Sequence, residues 1–395
     1  MNLADYRQEM DEELAAILGY WMEQTPDPAQ GGFYGQIDGE NIVHPQAPKG
    51  AVLNSRILWT FSAAYTQTRK SQYLHLAQRA YEYLTAHFID REYGGVFWSV
   101  DHNGAPLNGR KQIYGLAFCI YGLSEYYLIS GDPGALEHAT SLFRLIERHS
   151  FDPKTSGYYE AFARDWMPLD DQRLSPKDAN EKKTMNTHLH VIEAYANLYR
   201  AWPDPILKRQ ITGLLEVFGD HIIDGSTGHL RLFFDENWNT RSGTVSYGHD
   251  IEAAWLLLES AEIAGDSHWI AAAKEWAIRM AHAAAEGLDN DGGLWYEKEG
   301  GHLVKEKHWW AQAESMIGFF NAWQLTGDPA WLQKSRASWD FVRNYIKDAH
   351  YGEWFWGVGI DHLPMPGEDK AGFWKCPYHN SRACLELSRR ISDVK

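Results

Sequence analysis

His249 and Glu252 stand three residues apart in SYGHDIEA. On a helix, positions i and i+3 are neighbours. A carboxylate beside an imidazole fixes its orientation and raises its basicity. That is what a general base needs, although a satisfied histidine at a helix start looks the same in sequence. A second histidine, His379 in CPYHNSR, supplies a partner for proton transfer. Asn186, His188 and His190 fall within MNTHLHVIEAY. The two histidines there are about 200° apart around a helix, so they cannot share one zinc ion. Asn186 and His190 are four apart and share a face, which leaves His188 to support structure. Arg56 interrupts the apolar run LNSRILWTFSAAY. A buried arginine needs a partner, either a structural carboxylate or an oxyanion that develops during a reaction. One of Trp309 and Trp310 is expected in the core and the other, Trp310, at the site, together with Trp374. The chain has no glycine-rich phosphate loop, no dinucleotide fingerprint and no cysteine pair at metal spacing, so neither cofactor nor metal is expected.

Those residues must be brought together by the elements that carry them, and an internal repeat says how. A Gly-aromatic segment recurs at Gly31, Gly94, Gly157, Gly228, Gly292 and Gly352, at intervals of 63, 63, 71, 64 and 60 residues. Such a period is the mark of a repeat architecture. Between successive segments lie two helical patterns split by breakers such as Gly131-Asp132-Pro133, Pro203-Asp204-Pro205, Gly265-Asp266-Ser267 and Gly327-Asp328-Pro329. The periodicity predicts helices over 3–23, 51–69, 72–89, 111–130, 133–149, 185–201, 205–222, 247–264, 267–286, 307–326, 329–346 and 375–391. The first of each full pair is apolar nearly all round, as in IYGLAFCIYGL, and the second is amphipathic, as in LKRQITGLLEVF. An all-apolar helix is buried and an amphipathic one half-faces water. The expected fold is therefore all-α, a single (α/α)6-barrel domain over 1–395, its inner and outer helices joined by short hairpin-like loops. An open solenoid would need polar capping repeats, and none is visible. The Gly-aromatic loops all precede inner helices. Arg56, Tyr114, Asn186, His188, His190, His249, Glu252, Trp310, Glu314, Trp374 and His379 then share one end of the barrel. Residues 162–183 form an irregular stretch too long for a simple connector and a candidate cover for that end.

Composition narrows the partners. Lys and Arg number 37 against 53 Asp and Glu, a net charge of −16, which repels nucleic acid and anionic membrane surfaces. Aromatic residues reach 14%, with 18 Trp, and their flat faces with polar edges suit sugar rings. Three widely spaced cysteines, Cys119, Cys376 and Cys384, argue for a reducing compartment rather than a disulfide framework. The start of the chain has no apolar targeting segment, and no apolar run is long enough to span a membrane. A cytoplasmic monomer acting on a small molecule is the expectation.

The segments MNTHLHVIEAY, SYGHDIEAAWLL, KHWWAQAESMIGFFNAWQLTGD and WKCPYHNSRACLEL together resemble the cellobiose 2-epimerases, within the N-acylglucosamine 2-epimerase superfamily. The likeness runs in order along nearly the whole chain, and that family's (α/α)6 barrel agrees with the repeat. The resemblance implies that His249 and His379 are the two acid/base histidines. It makes Arg56, Asn186 and His190 polar contacts to the reducing-end sugar. Glu252 becomes the partner of His249, Glu314 a further pocket carboxylate, and Trp310 and Trp374 stacking platforms. Tyr114 joins the substrate contacts by its place at the same end. Cys376 departs from the small residue expected there.

The implied reaction is cofactor-independent inversion at C2 of the reducing-end glucose of a β-1,4-linked disaccharide, with cellobiose, lactose and mannobiose all open. The ring opens, one histidine removes the C2 proton to give an enediolate, and the other returns a proton to the opposite face. Arg56 and His190 would steady the oxyanion at O1. Rival readings are an aldose–ketose isomerase or an N-acylglucosamine or mannobiose 2-epimerase of the same superfamily. A glycoside hydrolase using two of Glu160, Asp250, Glu297 and Glu314 and a non-catalytic sugar-binding protein are more distant ones.

Overall fold

The computed structural model describes residues 2–394. Among them are twelve α-helices: α1 (Leu3–Gln24), α2 (Ala51–Thr68), α3 (Ser71–Tyr83), α4 (Ile113–Ser130), α5 (Pro133–His149), α6 (Met185–Ala201), α7 (Pro205–Val217), α8 (Tyr247–Ala264), α9 (Ser267–Ala285), α10 (Trp309–Thr326), α11 (Pro329–Phe341) and α12 (Tyr378–Asp393). The even-numbered helices pack as a ring, each against the next, and α12 returns to α2. That closure makes the (α/α)6 barrel and excludes an open solenoid. α1 packs on α12, so the two ends of the chain complete one helix pair. Inner helices α4, α8 and α10 are apolar nearly all round because they have almost no side facing water. In α4 every residue from Ile113 to Tyr126 is buried. No helix among the described residues is long and apolar enough to cross a membrane.

The breakers do what their chemistry allows. Gly131, Gly265 and Gly327 end inner helices in the left-handed conformation, and Asp132, Asp266 and Asp328 cap the next helix through side-chain oxygens. Three outer helices finish in a wider turn, over Leu84–Phe88, Phe218–Ile222 and Val342–Ile346. Two inner helices start two residues later than periodicity predicts, because Lys111–Gln112 and Lys307–His308 are extended. They pair with Ala161–Phe162 and Gly357–Val358. Similar short pairings join Lys49–Gly50 to Ser99–Val100 and Lys183–Thr184 to Phe233–Phe234. They stitch neighbouring repeats together at one end of the barrel.

The Gly-aromatic repeat has a backbone cause. All six of its glycines have positive φ, from +74° at Gly94 to +90° at Gly292. A side chain at Gly292 would also place its Cβ 2.3 Å from the Ala337 carbonyl oxygen. Five of the six loops further carry an aspartate whose partner is a buried lysine. Lys49 meets Asp27 at 2.9 Å, Lys111 meets Asp90 at 2.7 Å, Lys183 meets Asp152 at 2.9 Å and Lys307 meets Asp289 at 2.8 Å. Those four lysines stand two residues before an inner helix. The fourth repeat has Val245 there, and its Asp224 takes Arg231 instead. Breaking a buried pair leaves an uncompensated charge, which costs about 3–5 kcal/mol. Lys49→Met is expected to lower stability by about that much in urea unfolding, and an unchanged midpoint would contradict the role of the clamp.

Candidate active site

The stitched end carries the first turns of the inner helices and the side chains singled out above. Trp310, on the first turn of α10, is half-buried, and its ring lies 4.7 Å from the His249 ring and 5.9 Å from the His379 ring. Its neighbour Trp309 is buried in the core. Half-buried Trp374 lies 6.0 Å from the Tyr114 ring, which meets His190 edge-on at 5.0 Å. Asn186 stands one turn before His190, and its buried Oδ1 has no partner. Arg56 is buried at 3% exposure without a carboxylate. It donates to the Tyr114 hydroxyl at 2.8 Å, lies 4.0 Å from the Phe118 ring centre and approaches Cys376 Sγ at 3.9 Å. Its Nε has no partner. A structural ion pair with a carboxylate is therefore not its role.

Behind these groups sits a buried charge network that no single segment of sequence suggests. Arg382 of α12 donates through Nη2 to Glu252 Oε1 at 2.7 Å and Glu314 Oε1 at 2.6 Å, and through Nη1 to Glu193 Oε1. Glu314 also receives Trp255 Nε1 at 3.0 Å and His379 Nδ1 at 2.7 Å. Glu193 receives His190 Nδ1 at 2.8 Å and the Tyr378 hydroxyl. Both imidazoles thus have Nδ1 fixed by a carboxylate, and neither bonds a protein group through Nε2 among the described residues. Burial dominates their protonation. It holds His379 and His190 below the ordinary histidine value, against the pull of their carboxylates, and the Arg56 charge adds to the effect. Burial, with His190 nearby, takes His249 down to about 3. Burial and the Glu314 charge push Glu252 up to about 8. All three histidines are consequently neutral at pH 7 and able to accept a proton. Glu252, Glu314 and His379 are close enough together to ligate a cation. The Arg382 guanidinium already occupies that position, bonded to both carboxylates.

A sequence model of the N-acylglucosamine 2-epimerase (GlcNAc 2-epimerase) family matches residues 32–383. The chain belongs to that family. It is a carbohydrate epimerase and hence an isomerase. It is 50% identical over 384 residues to a cellobiose 2-epimerase of Bacteroides fragilis, covering 96% of this epimerase and 98% of the relative. Among solved structures it matches the cellobiose 2-epimerase of Bacillus thermoamylovorans with a TM-score of 0.93 and 39% identity, over 98% of this chain and 100% of that one. A D-mannose isomerase structure at 21% identity and a TM-score of 0.83, covering 97% and 98% of the two chains, shares the fold.

Two expectations for this epimerase need correction. Glu252 is not the partner of His249. At the first turn of α8, His249 Nδ1 turns back to Ser246 Oγ at 2.8 Å, while Glu252 bonds Arg382 and lies 3.8 Å from His379. Arg382, entering from α12, offers Glu252 a full charge that a neutral imidazole cannot match. The i, i+3 histidine–glutamate pair does exist, at His190 and Glu193. Glu314 is not a substrate contact. It is fully buried and all its partners are protein groups, so it orients His379 from behind. Sequence reasoning missed Arg382, Glu193, Tyr378 and Ser246. The HxxE spacing at His190 was a usable signal for Glu193, whereas nothing local marked Arg382.

His188 supports structure as anticipated. It bonds the Thr184 carbonyl at 2.6 Å and accepts the Tyr158 N–H at 2.8 Å through Nε2. An acceptor nitrogen must be unprotonated, and burial lowers this imidazole to about 3. A histidine held neutral in the fold stabilises fully above its unfolded value near 6.5. It loses that contribution as pH falls from there toward 3. The stability advantage of wild type over His188→Gln should be largest above pH 6.5. It should then shrink by up to about 1.4 kcal/mol per pH unit in urea midpoints taken at successive pH values.

Proposed function

We propose that the chain inverts C2 of the reducing-end glucose of a β-1,4-linked disaccharide, with cellobiose as its first substrate. The observation that supports this most is the pair of neutral imidazoles, His249 and His379, both close to the half-buried ring of Trp310, with an arginine free of carboxylates nearby. Stacking on Trp310 would hold the sugar between two bases, and stacking on Trp374 would hold its other end. After ring opening, the C1 aldehyde makes the C2 proton acidic. One histidine takes that proton through Nε2, and the electron pair moves into the C1–C2 bond and onto O1. Arg56 and His190 are placed to stabilise that oxyanion. After rotation about C2–C3, the other histidine takes up a proton from solvent and passes it to the opposite face of C2, and the first releases its own proton to solvent. Glu314 behind His379 lowers the cost of the positive charge that each transfer creates.

The hydrolase reading loses three of its four candidate carboxylates, which leaves Glu297 without a second. Glu160 is bonded by Thr184 and Thr187, Asp250 by His229 and Leu230, and Glu314 by Arg382 and His379. None of the three is available to flank a glycosidic bond.

Proton and carbon NMR of the protein with cellobiose in D₂O tests the proposal. The expected product is a glucosyl-mannose carrying deuterium at C2. A ketose product would make the chain an aldose–ketose isomerase, and free glucose a hydrolase. Lactose and mannobiose, run in parallel, rank the substrates.

A further inference from the structure

The end of the barrel opposite the stitched loops holds a cavity of about 390 Å³, formed where the inner helices finish. Its floor is the Glu193–Arg382 ion pair, the far side of the network that orients His190 and His379. Nothing in the proposed chemistry uses this space. Its walls are apolar at Ala63, Ala196, Ile263 and Leu385, with Trp59 and Trp255 beside them. Trp59 is stiffened by stacking on Tyr121 at 5.2 Å.

Two carboxyls line the cavity without good partners. Glu125 is 5% exposed, and its one ion pair is a long contact of 3.5 Å to Arg200 Nη1. Burying a carboxylate this poorly matched costs free energy unless something else binds it. Glu259 faces the same space and has no ion pair among the described residues, since Arg389 and Arg390 are taken by Glu386 at 2.6 and 3.0 Å. Arg200 and Arg389 stand exposed at the rim. Interleaved carboxyls and guanidinia match groups that donate and accept at once. Hydroxyls do that, and ions of one sign do not. Aliphatic and aromatic walls suit the C–H faces of a ring. The volume lies at the small end of ligand pockets.

We propose that this cavity is a second binding site, for a neutral polyhydroxylated ligand of about the size of one sugar ring. The site is separate from the one that carries the chemistry.

Methyl β-D-glucopyranoside is a suitable probe, because its blocked O1 prevents ring opening and turnover. Calorimetric titration of the wild-type chain and of Ala63→Trp, which fills the cavity, decides the matter. The expected result is a binding event in wild type that Ala63→Trp removes, while kcat and KM on cellobiose stay within about twofold. Thr66→Trp, at the exposed rim, gives the same readout if Ala63→Trp does not fold. The proposal is overturned if wild type shows no binding, or if the foldable filling variant retains every event seen in wild type. Failure of the epimerase reading would appear separately, in the cellobiose assay.

Discussion

His379→Ala and His249→Ala should each lower kcat on cellobiose by on the order of 10²–10⁴-fold, the usual contribution of a positioned acid or base. KM should move much less, because stacking on Trp310 and the Arg56 guanidinium survive either change. The stronger test is isotopic. A variant with one base left can still remove and return the C2 proton on one face. Each variant should therefore exchange C2 hydrogen with D₂O in only one epimer, and the two variants should exchange opposite epimers. Full turnover in either, or exchange of the same epimer in both, would sink the two-base assignment. Glu314→Gln should give a smaller loss than His379→Ala. It keeps an acceptor for His379 Nδ1 but removes the charge that steadies the imidazolium.

Arg382→Met is expected to have the largest effect on stability. The guanidinium bridges Glu193, Glu252 and Glu314, all buried. Removing one member of such a cluster strands the others, at a cost of about 3–5 kcal/mol. Some of that is relieved when the carboxyls take up protons, a step that Glu252, with its value pushed to about 8, has largely taken at pH 7. Activity should fall with stability, because Glu193 and Glu314 are what hold His190 and His379. Arg382→Lys restores the charge but not the planar fork that reaches three carboxylates, so it should recover stability in part and kcat less. Urea midpoints and kcat on cellobiose measure both. A methionine variant as stable and active as wild type would show that the network is dispensable.

Much of the barrel was legible because its signals are local and repeated. Six left-handed glycines, Asp-capped breakers and helices apolar nearly all round each follow from backbone geometry and burial, and each recurs every sixty-odd residues. Helix starts at 111 and 307 were misjudged because an extended Lys pair looks like a helical first turn until its partner strand is known. The aspartate–lysine clamps were present in the sequence at regular places, but their partners lie 18 to 31 residues apart across a loop.

The site divides along the same line. The sequence by itself singled out the residue types that could carry chemistry: histidines, an arginine in an apolar helix and tryptophans, all near inner-helix N-termini. Only the tertiary structure decided which charge serves which base. Glu252 sits one turn from His249 yet bonds an arginine 130 positions away, and Glu314 reaches His379 across 65 positions. The physical reason is the ring itself. Closing α12 against α10 and α2 drives Arg382 into the barrel axis, where burial makes any full charge seek the nearest opposite one, and that attraction outweighs the weaker pairing that helix spacing alone offers a neutral histidine.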